Sequence, residues 1–287
     1  MSAVKAFFAA YRRLARGPKG VERAKALMRS LFALVPIRRA ETRRSMELAL
    51  GLDAKGSKKL LCGVYDHFSW MMGEWLAASQ NPSLLDQWVT VQEGLLPRLE
   101  QLKSQGLVLL TGHWGNWELL GGWLATHGFP ITALTRPAER ESATKVMDDL
   151  RSSFGAEVVH KAFGPTAGRT LARAVQKGRW LVLLADQDGG TQGTPVTFLG
   201  RPATMVQGPA TIARLTGAPI LPLFLRRLGP KKFLLEGGDL YDQPINDTGS
   251  QQEATLWANQ RLEAQVKSDP SQWFWFHRRW KSAEGQK

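Results

Sequence analysis

The sequence has a single cysteine, Cys62, among its 287 residues, which excludes an intrachain disulfide and any zinc site built on cysteines. It has no apolar run that approaches the roughly 18 to 20 residues needed to span a bilayer. A Gly-x-Ser-x-Gly motif, which would mark a serine nucleophile, is also absent. Because the sequence predicts neither a membrane span nor a signal peptide, we expect the protein to stay cytoplasmic, either in solution or on a membrane face. Cys62 lies in an apolar helical pattern, which favours a buried, inert thiol.

The positive charge is concentrated near the amino terminus. Residues 1 to 60 carry 15 Lys and Arg against four Asp and Glu, so most of the formal net charge of +13 lies there. Clustering of this kind favours a polyanionic partner, such as a nucleic acid, an anionic membrane or a phosphorylated substrate. Within residues 1–37, apolar residues recur at helical spacing, which predicts two basic amphipathic helices. Such helices either lie on a membrane surface or pack on the domain with a solvated basic face.

The most informative stretch is residues 107–120. An apolar run, a Thr-Gly pair and a second apolar pattern predict a strand, a turn that presents His113, and a helix that carries Glu118. On one regular helix these two residues would lie roughly 140° apart, too far round to share a ligand. If the strand ends at His113, the Glu118 carboxylate can instead reach one ring nitrogen and leave the other as a general base. The alternative is structural: a buried histidine at a strand end, and a glutamate favoured by the helix dipole.

From Trp88 onward, short apolar strands alternate with helical patterns. This alternation predicts an α/β fold with a mainly parallel central sheet flanked by helices. The predicted strands cover residues 88–91, 107–111, 131–135, 157–160, 180–185, 220–226 and 233–236. A loop of roughly 20 residues follows Asp186, and loops of this length are commonly functional. In such sheets function gathers at the carboxyl ends of strands, which is where His113 lies.

The string Gly112-His113-Trp114-Gly115-Asn116-Trp117-Glu118 resembles a known signature. Its His-x4-Glu core is similar to the His-x4-Asp/Glu motif of glycerolipid acyltransferases, and the full string resembles lipid A biosynthesis (lauroyl/myristoyl) acyltransferases. The resemblance continues through Arg136-Pro137, residues 186–220 and residues 269–281, and covers about residues 38 to 281. We therefore predict a membrane-associating segment at residues 1–37 and an acyltransferase domain at residues 38–287. The family usually begins with a membrane-spanning helix, and this sequence departs from that pattern.

The resemblance implies a reaction and a site. A fatty acyl chain would pass from an acyl carrier protein or CoA thioester to a hydroxyl of a glycolipid such as a lipid A precursor. His113 would act as general base and Glu118 would orient it, with no metal and no resident cofactor. The protein would sit peripherally on the cytoplasmic face of the inner membrane, against its anionic surface. The substrate-binding candidates are Asn116, Arg136, Arg151, Asp186, Gln187, Asp188 and Arg201.

Two other functions fit parts of the sequence. The basic charge suits a nucleic-acid-binding protein, although no recognised binding motif is present and the His-Glu stretch would have no purpose. Asp186 and Asp188, in an Asp-x-Asp arrangement, could hold a divalent cation for a nucleotide-sugar transferase. The remaining histidines have no comparable partner spacing, so we predict structural or surface roles for them: His67, His127, His160 and His277.

Overall fold

The computed structural model describes residues 3–35, 38–138, 140–160 and 165–284. Its centre is a seven-stranded sheet with the order β1-β9-β8-β2-β5-β3-β4, and a separate two-stranded hairpin joins β6 to β7. Neighbouring strands of the large sheet run parallel except for the β8–β9 pair, which confirms the predicted fold class. The strands are β1 (Val89–Val91), β2 (Leu107–Thr111), β3 (Ile131–Thr135), β4 (Glu157–His160), β5 (Trp180–Leu184), β6 (Thr194–Phe198), β7 (Arg201–Met205), β8 (Ile220–Gly229) and β9 (Lys232–Gly237).

Helices cover both faces of the sheet. Along β2, Leu107 and Leu109 pack into one apolar core while Val108 and Leu110 pack into the other. This two-sided burial explains why the strand is apolar throughout and does not alternate with polar residues. The helices are α1 (Ala3–Leu14), α2 (Gly20–Leu34), α3 (Arg39–Leu50), α4 (Ala54–Ala78), α5 (Leu84–Trp88), α6 (Leu95–Leu102), α7 (Trp117–Thr126), α8 (Glu141–Ser152), α9 (Pro165–Gln176), α10 (Gly208–Thr216), α11 (Thr248–Ser268) and α12 (Lys281–Glu284).

Two expectations from the sequence are wrong. The region after Asp186, predicted to be a loop, contains the β6–β7 hairpin, closed by a two-residue turn with positive φ at both Leu199 and Gly200. Such a turn matches the twist of paired strands, and Pro195 is tolerated because it occupies an exposed position. Cys62 is exposed and not buried, because the inward face of α4 is formed by Leu61 and the residues three and four positions after it.

The amino-terminal helices lie against the domain. Residues Val21 and Ala24 of α2 are buried on α4. A Cβ at Gly73 would come within 2.9 Å of the Val21 carbonyl oxygen, so glycine permits this close approach. The Tyr11 hydroxyl of α1 donates to the Ala24 carbonyl at 3.1 Å. Throughout the described ranges, every helix is too short or too polar to cross a membrane.

The sheet register brings two distant polar residues together. Strands β2 and β5 are parallel neighbours, with Thr111 beside Leu184 at their carboxyl ends. The second residue after each strand is therefore placed at the same edge of the sheet: His113 after β2 and Asp186 after β5. This edge is the part of the fold in which a site is expected.

Candidate active site

His113 is held by the carboxylate of Asp186. Its Nδ1 lies 2.9 Å from Asp186 Oδ1, and its main-chain N–H donates to Asp186 Oδ2 at 2.9 Å. A carboxylate can only accept, so Nδ1 carries the proton and Nε2 presents its lone pair, to which the Gln187 side-chain amide donates at 3.4 Å. The Asp186 contact thus fixes both the position and the tautomer of the ring, as a general base requires.

Asp186 is 2% exposed, and its charge is stabilised by donors. The Trp273 indole N–H donates to Oδ2 at 2.7 Å, beside the amide of His113. Burial alone would raise the pKa of Asp186, but the charge and hydrogen bonds of His113 and the Trp273 N–H outweigh it and lower the pKa to about 2. The carboxylate is therefore ionised at any pH at which the protein is expected to work.

Gly112 makes room for this contact. A Cβ at position 112 would lie 3.1 Å from Asp186 Cγ and 3.2 Å from Leu262 Cδ2, tighter than ordinary van der Waals contact. A side chain would press on the carboxylate just where it meets the imidazole. Glycine therefore lets the end of β2 approach the end of β5 closely enough for the two residues to pair.

Glu118 does not orient His113 in this structure, which corrects the predicted His-Glu pair. Both Glu118 oxygens are bound by Arg151, from Nε at 3.0 Å and from the second guanidinium nitrogen at 2.6 Å. Glu118 is 8% exposed, so the pair is largely removed from water. The Glu118 carboxylate raises the pKa of Arg151 against the opposing effect of burial. Asp186 takes this place because the register of β2 and β5 brings its carboxylate to His113.

A cavity of about 440 Å³ opens beside the imidazole. His113 lies in its wall at the same end as Gln187, whose side-chain nitrogen is 3.4 Å from His113 Nε2. The Glu118–Arg151 pair also lines the cavity. Most of the remaining wall is apolar and comes from α7, α8, β3, β5 and the segment between α8 and β4: Trp117, Gly121, Gly122, Ile131, Ala133, Leu134, Met147, Phe154, Ala156, Val182 and Leu184. The unprotonated nitrogen of His113 therefore lies at the wall of a mainly apolar cavity.

The two aspartates after β5 are already engaged by protein donors. Asp188 accepts from the Thr204 hydroxyl at 2.9 Å and from the Ser282 hydroxyl at 2.6 Å. Its main-chain N–H donates to His277 Nε2 at 3.0 Å, and burial lowers the pKa of His277. In the described part of the chain, no three His, Cys, Asp or Glu side chains converge in a metal-binding arrangement. Asp188 therefore lies in the cavity wall with both of its carboxylate oxygens bound by hydroxyl groups.

The other predicted site residues divide into two groups. Arg136 is exposed at the cavity, and its guanidinium makes no hydrogen bond or ion pair with another described residue. Asn116 and Arg201 lie outside the cavity wall. Asn116 is fully buried and caps α7, accepting from the Leu119 amide at 3.1 Å. Arg201 binds Glu284 at 2.6 Å and lies over Trp280.

The sequence matches one family of known proteins over most of its length. The family model described as bacterial lipid A biosynthesis acyltransferase matches residues 21–282, which contain the whole sheet, the cavity and the closing tryptophan-rich segment. The chain belongs to this family. The predicted family is therefore confirmed.

The curated relatives carry two kinds of name. The chain is 28% identical over 178 residues to a phosphatidylinositol mannoside acyltransferase of Mycolicibacterium smegmatis, covering 62% of this chain and 57% of that protein. It is 33% identical over 132 residues to the protein of the same name from Mycobacterium tuberculosis, covering 45% and 42%. It is 24% identical over 184 residues to a lipid A biosynthesis acyltransferase of Haemophilus influenzae, covering 63% and 56%. The chain spans about half the length of these curated relatives.

Sequence reasoning did not identify Trp273 as part of the site. Residues 269–281 resemble the closing segment of lipid A biosynthesis acyltransferases, but a tryptophan in an aromatic run is more often a packing residue. Its polar partner, Asp186, is 87 residues away in the chain. His277 was predicted to be structural, and it does support the site wall through Asp188. The feature that identifies Trp273 is the hydrogen bond from its buried indole N–H to Asp186, and the sequence alone does not reveal this pairing.

Proposed function

We propose that the protein transfers a fatty acyl chain from a thioester to a hydroxyl of a glycolipid, with His113 as general base and Asp186 as its orienting carboxylate. The position of the His113 ring is the main support for this proposal. The imidazole is fixed by Asp186 through Nδ1 and the main-chain amide of His113, while the ring with its unprotonated Nε2 lines a mainly apolar cavity of about 440 Å³. A base next to a space suited to hydrocarbon is what acyl transfer between lipids requires.

The chemical step uses Nε2 of His113 twice, first as a base and then as an acid, while Nδ1 stays bound to Asp186. Nε2 removes the proton of the acceptor hydroxyl as the oxygen attacks the thioester carbonyl carbon. The tetrahedral intermediate then collapses, the C–S bond breaks, and the leaving thiolate takes the proton back from the imidazolium. Asp186 stabilises the transient positive charge on the ring. The first amides of α7 lack partners within the helix and are the proposed donors to the oxyanion.

The cavity and the charge suggest the substrate classes. Its apolar wall suits the acyl chain of the donor, supplied as a thioester of acyl carrier protein or CoA. The relatives are named for phosphatidylinositol mannoside and for lipid A, so a phosphorylated glycolipid is the proposed acceptor. Arg136, exposed and without a partner among the described residues, is the proposed contact for a phosphate of either substrate. An acidic carrier protein would also suit the net charge of +13.

We further propose that the protein works at the cytoplasmic face of the inner membrane as a peripheral protein. The exposed basic side chains of α1, α2 and the segment between them are suited to anionic headgroups: Arg12, Arg13, Arg16, Lys19 and Arg23. At the far end of α2, Leu34 is 77% exposed and Val35 is 63% exposed, so apolar side chains are available for the lipid layer. Both kinds of contact would bring the cavity towards its lipid substrates.

The proposal is tested by following one acyl chain. Membranes with and without the protein are compared by mass spectrometry of total lipids, and the purified protein is incubated with candidate acceptors and either acyl carrier protein or CoA thioesters. We expect one glycolipid to gain an acyl chain with the wild type and not with His113→Ala, and we expect chelators to leave the rate unchanged. An unaltered lipid profile, or transfer by His113→Ala at the wild-type rate, would overturn the proposal.

A further inference from the structure

A second histidine, His67, is fully paired inside the domain but touches no part of the cavity. It lies on α4, is 4% exposed, and has a partner on each ring nitrogen. Its Nδ1 is 3.1 Å from Arg227 Nε, and its Nε2 is 3.0 Å from the Gly115 carbonyl oxygen. The mechanism proposed above gives this buried, titratable group no task, although Gly115 is only two residues from His113.

The two partners determine the protonation state of His67. An arginine Nε always donates, so Nδ1 must accept; a carbonyl oxygen always accepts, so Nε2 must carry the proton. The ring is therefore neutral, with a defined tautomer. Burial, assisted by the positive charge of Arg227, holds the pKa of His67 well below its usual value, although the Gly115 carbonyl opposes this shift. If Nδ1 were also protonated, its N–H would face the Nε–H of Arg227, and neither group could accept a hydrogen bond from the other.

A buried ion pair holds Arg227 in place for this contact. Both terminal nitrogens of Arg227 bind Glu74 at 2.6 Å, and Glu74 also accepts from the Lys231 amide at 3.0 Å. Glu74 is completely buried. The Gln272 side chain bridges the main chain of Arg227, accepting from its N–H at 2.8 Å and donating to its carbonyl at 3.0 Å. Glu74 thus holds the guanidinium of Arg227 and Gln272 holds its main chain, and together they fix the Nε–H that faces His67.

Gly115 is the point at which these contacts reach the catalytic turn. Its N–H donates to the Gln272 carbonyl at 3.1 Å, and its carbonyl accepts from His67. Its φ is +63°, and a Cβ would lie 2.2 Å from the Leu225 carbonyl oxygen, so only glycine fits between the turn and β8. The neighbouring Asn116 amide donates to the same Leu225 oxygen at 3.0 Å. The turn is therefore held on both sides of a single peptide unit.

We propose that His67 is a positioning residue: its Nε2–H fixes the Gly115 carbonyl and thereby the turn that presents His113 to the cavity. This inference rests on the proposed function, because the turn matters only if His113 is the base. Displacing a reacting group by about 1 Å can cost as much as 10²-fold in rate. Loss of the His67 contact should therefore reduce kcat without changing the residues that touch the substrates.

The test compares three variants in the full-length protein. His67→Leu removes both hydrogen bonds, while His67→Gln can still place an amide N–H near the position of Nε2. Leu61→Ala, nearly two turns earlier on the same helix, is the matched control for destabilisation. We expect kcat to fall about 10- to 100-fold in His67→Leu, by the same factor at every pH and with KM within about twofold. His67→Gln should recover most of the loss, and Leu61→Ala should lower Tm but not kcat.

Hydrogen exchange tests the same claim without a substrate. Losing one buried hydrogen bond should speed amide exchange in peptides spanning residues 113–117 by about 3- to 10-fold in His67→Leu, and not in Leu61→Ala. This arm decides whether His67 holds the turn even if no acyl transfer is found, so failure of the two proposals can be distinguished. Unchanged exchange in His67→Leu, no recovery by His67→Gln, or an effect on KM in place of kcat would overturn the inference.

Discussion

Asp186 binds His113 twice, through the imidazole Nδ1 and through the main-chain amide, each at 2.9 Å. The carboxylate therefore ties the ring to the backbone that carries it, so that the imidazole and the end of β2 move as one unit. The third donor, the Trp273 indole N–H at 2.7 Å, shares Oδ2 with the main-chain amide. The two Asp186 oxygens thus have different tasks: Oδ1 faces the ring, and Oδ2 anchors the carboxylate.

This division predicts the effect of Asp186→Asn. Two fixed N–H donors require an acceptor at the Oδ2 position, so the amide oxygen will settle there and the NH₂ group will face His113 Nδ1. The ring must then accept at Nδ1 and carry its proton on Nε2, which is the wrong tautomer for a base. We expect kcat to fall about 10²- to 10⁴-fold, close to the rate of His113→Ala. Circular dichroism should show an intact fold, and a rate within a few fold of wild type would contradict the tautomer argument.

Asp186 also predicts a loss of stability in acid. Its pKa falls from 3.8 in the unfolded chain to about 2 in the folded protein, so its stabilising contribution is complete above about pH 4 and is lost as the pH falls towards 2. A shift of this size corresponds to about 2 kcal/mol. Urea unfolding at several pH values should show the free-energy difference between wild type and Asp186→Asn shrinking over this interval. A difference independent of pH would contradict the prediction.

The sequence was sufficient for most of the architecture because local signals agreed with the fold. Strands β2, β3 and β4 begin and end at the predicted residues, since each is a short apolar run bounded by turn residues. The β6–β7 hairpin was missed because its strands lie within a loop-like composition that includes Pro195 and Gly200. Its turn signal, Leu199-Gly200, is not one of the common hairpin dipeptides.

The site was only partly predictable, for a different reason. His113 could be found because a strand, a glycine turn and a helix surround it in sequence. Its partner could not, because Asp186 is 73 residues away and is brought near only by the β2–β5 register. Glu118 was the nearest carboxylate in sequence, and the structure gives it to Arg151. Short-range spacing identified His113 but not the carboxylate that binds it.

The Glu118–Arg151 pair should contribute to stability, because breaking one side leaves a buried charge. Arg151→Met leaves the Glu118 carboxylate unpaired at 8% exposure and should cost about 3 kcal/mol of unfolding free energy. The double variant Glu118→Gln/Arg151→Met should cost less than the sum of the single changes. Urea denaturation measures both.

An exposed ion pair provides the matched control for this prediction. Glu284 binds Arg201 but is 63% exposed, so Glu284→Gln should change stability by less than about 1 kcal/mol. If Arg151→Met is equally mild and instead raises the KM of one substrate, Arg151 binds that substrate and the pair is not structural.

We expect the residue at position 121 to control the length of the acyl chain that the cavity accepts. It lies on α7 in the cavity wall, and a Cβ built there would meet nothing within 4 Å. Gly121→Leu should therefore fold normally while filling part of the space proposed for the acyl chain. We expect kcat/KM for the longest accepted donor to fall at least about tenfold relative to a shorter one. Gly121→Ala should give a smaller change in the same direction, and an unaltered chain preference in Gly121→Leu would place the acyl chain elsewhere.

The amino-terminal helices predict binding to anionic vesicles. The exposed cations of α1 and α2 should favour vesicles that contain anionic lipid over neutral ones, and raising NaCl from about 50 to about 500 mM should weaken this binding by screening. Sedimentation with vesicles measures the bound fraction. Binding to neutral vesicles that is equally strong and independent of salt would contradict the electrostatic part of the prediction.

Leu34 and Val35 test the apolar part of this contact. Burying each side chain in the lipid layer is worth about 1.5 to 3 kcal/mol, so Leu34→Ser/Val35→Ser should reduce binding at least about tenfold at low salt. Leu215 is 52% exposed at the end of α10, a helix outside the proposed membrane contact. Leu215→Ser is the matched control and should bind like wild type, because it removes an exposed leucine that the proposed contact does not use. Equal loss in both variants would mean that exposed leucines act nonspecifically and that α2 does not define the membrane contact.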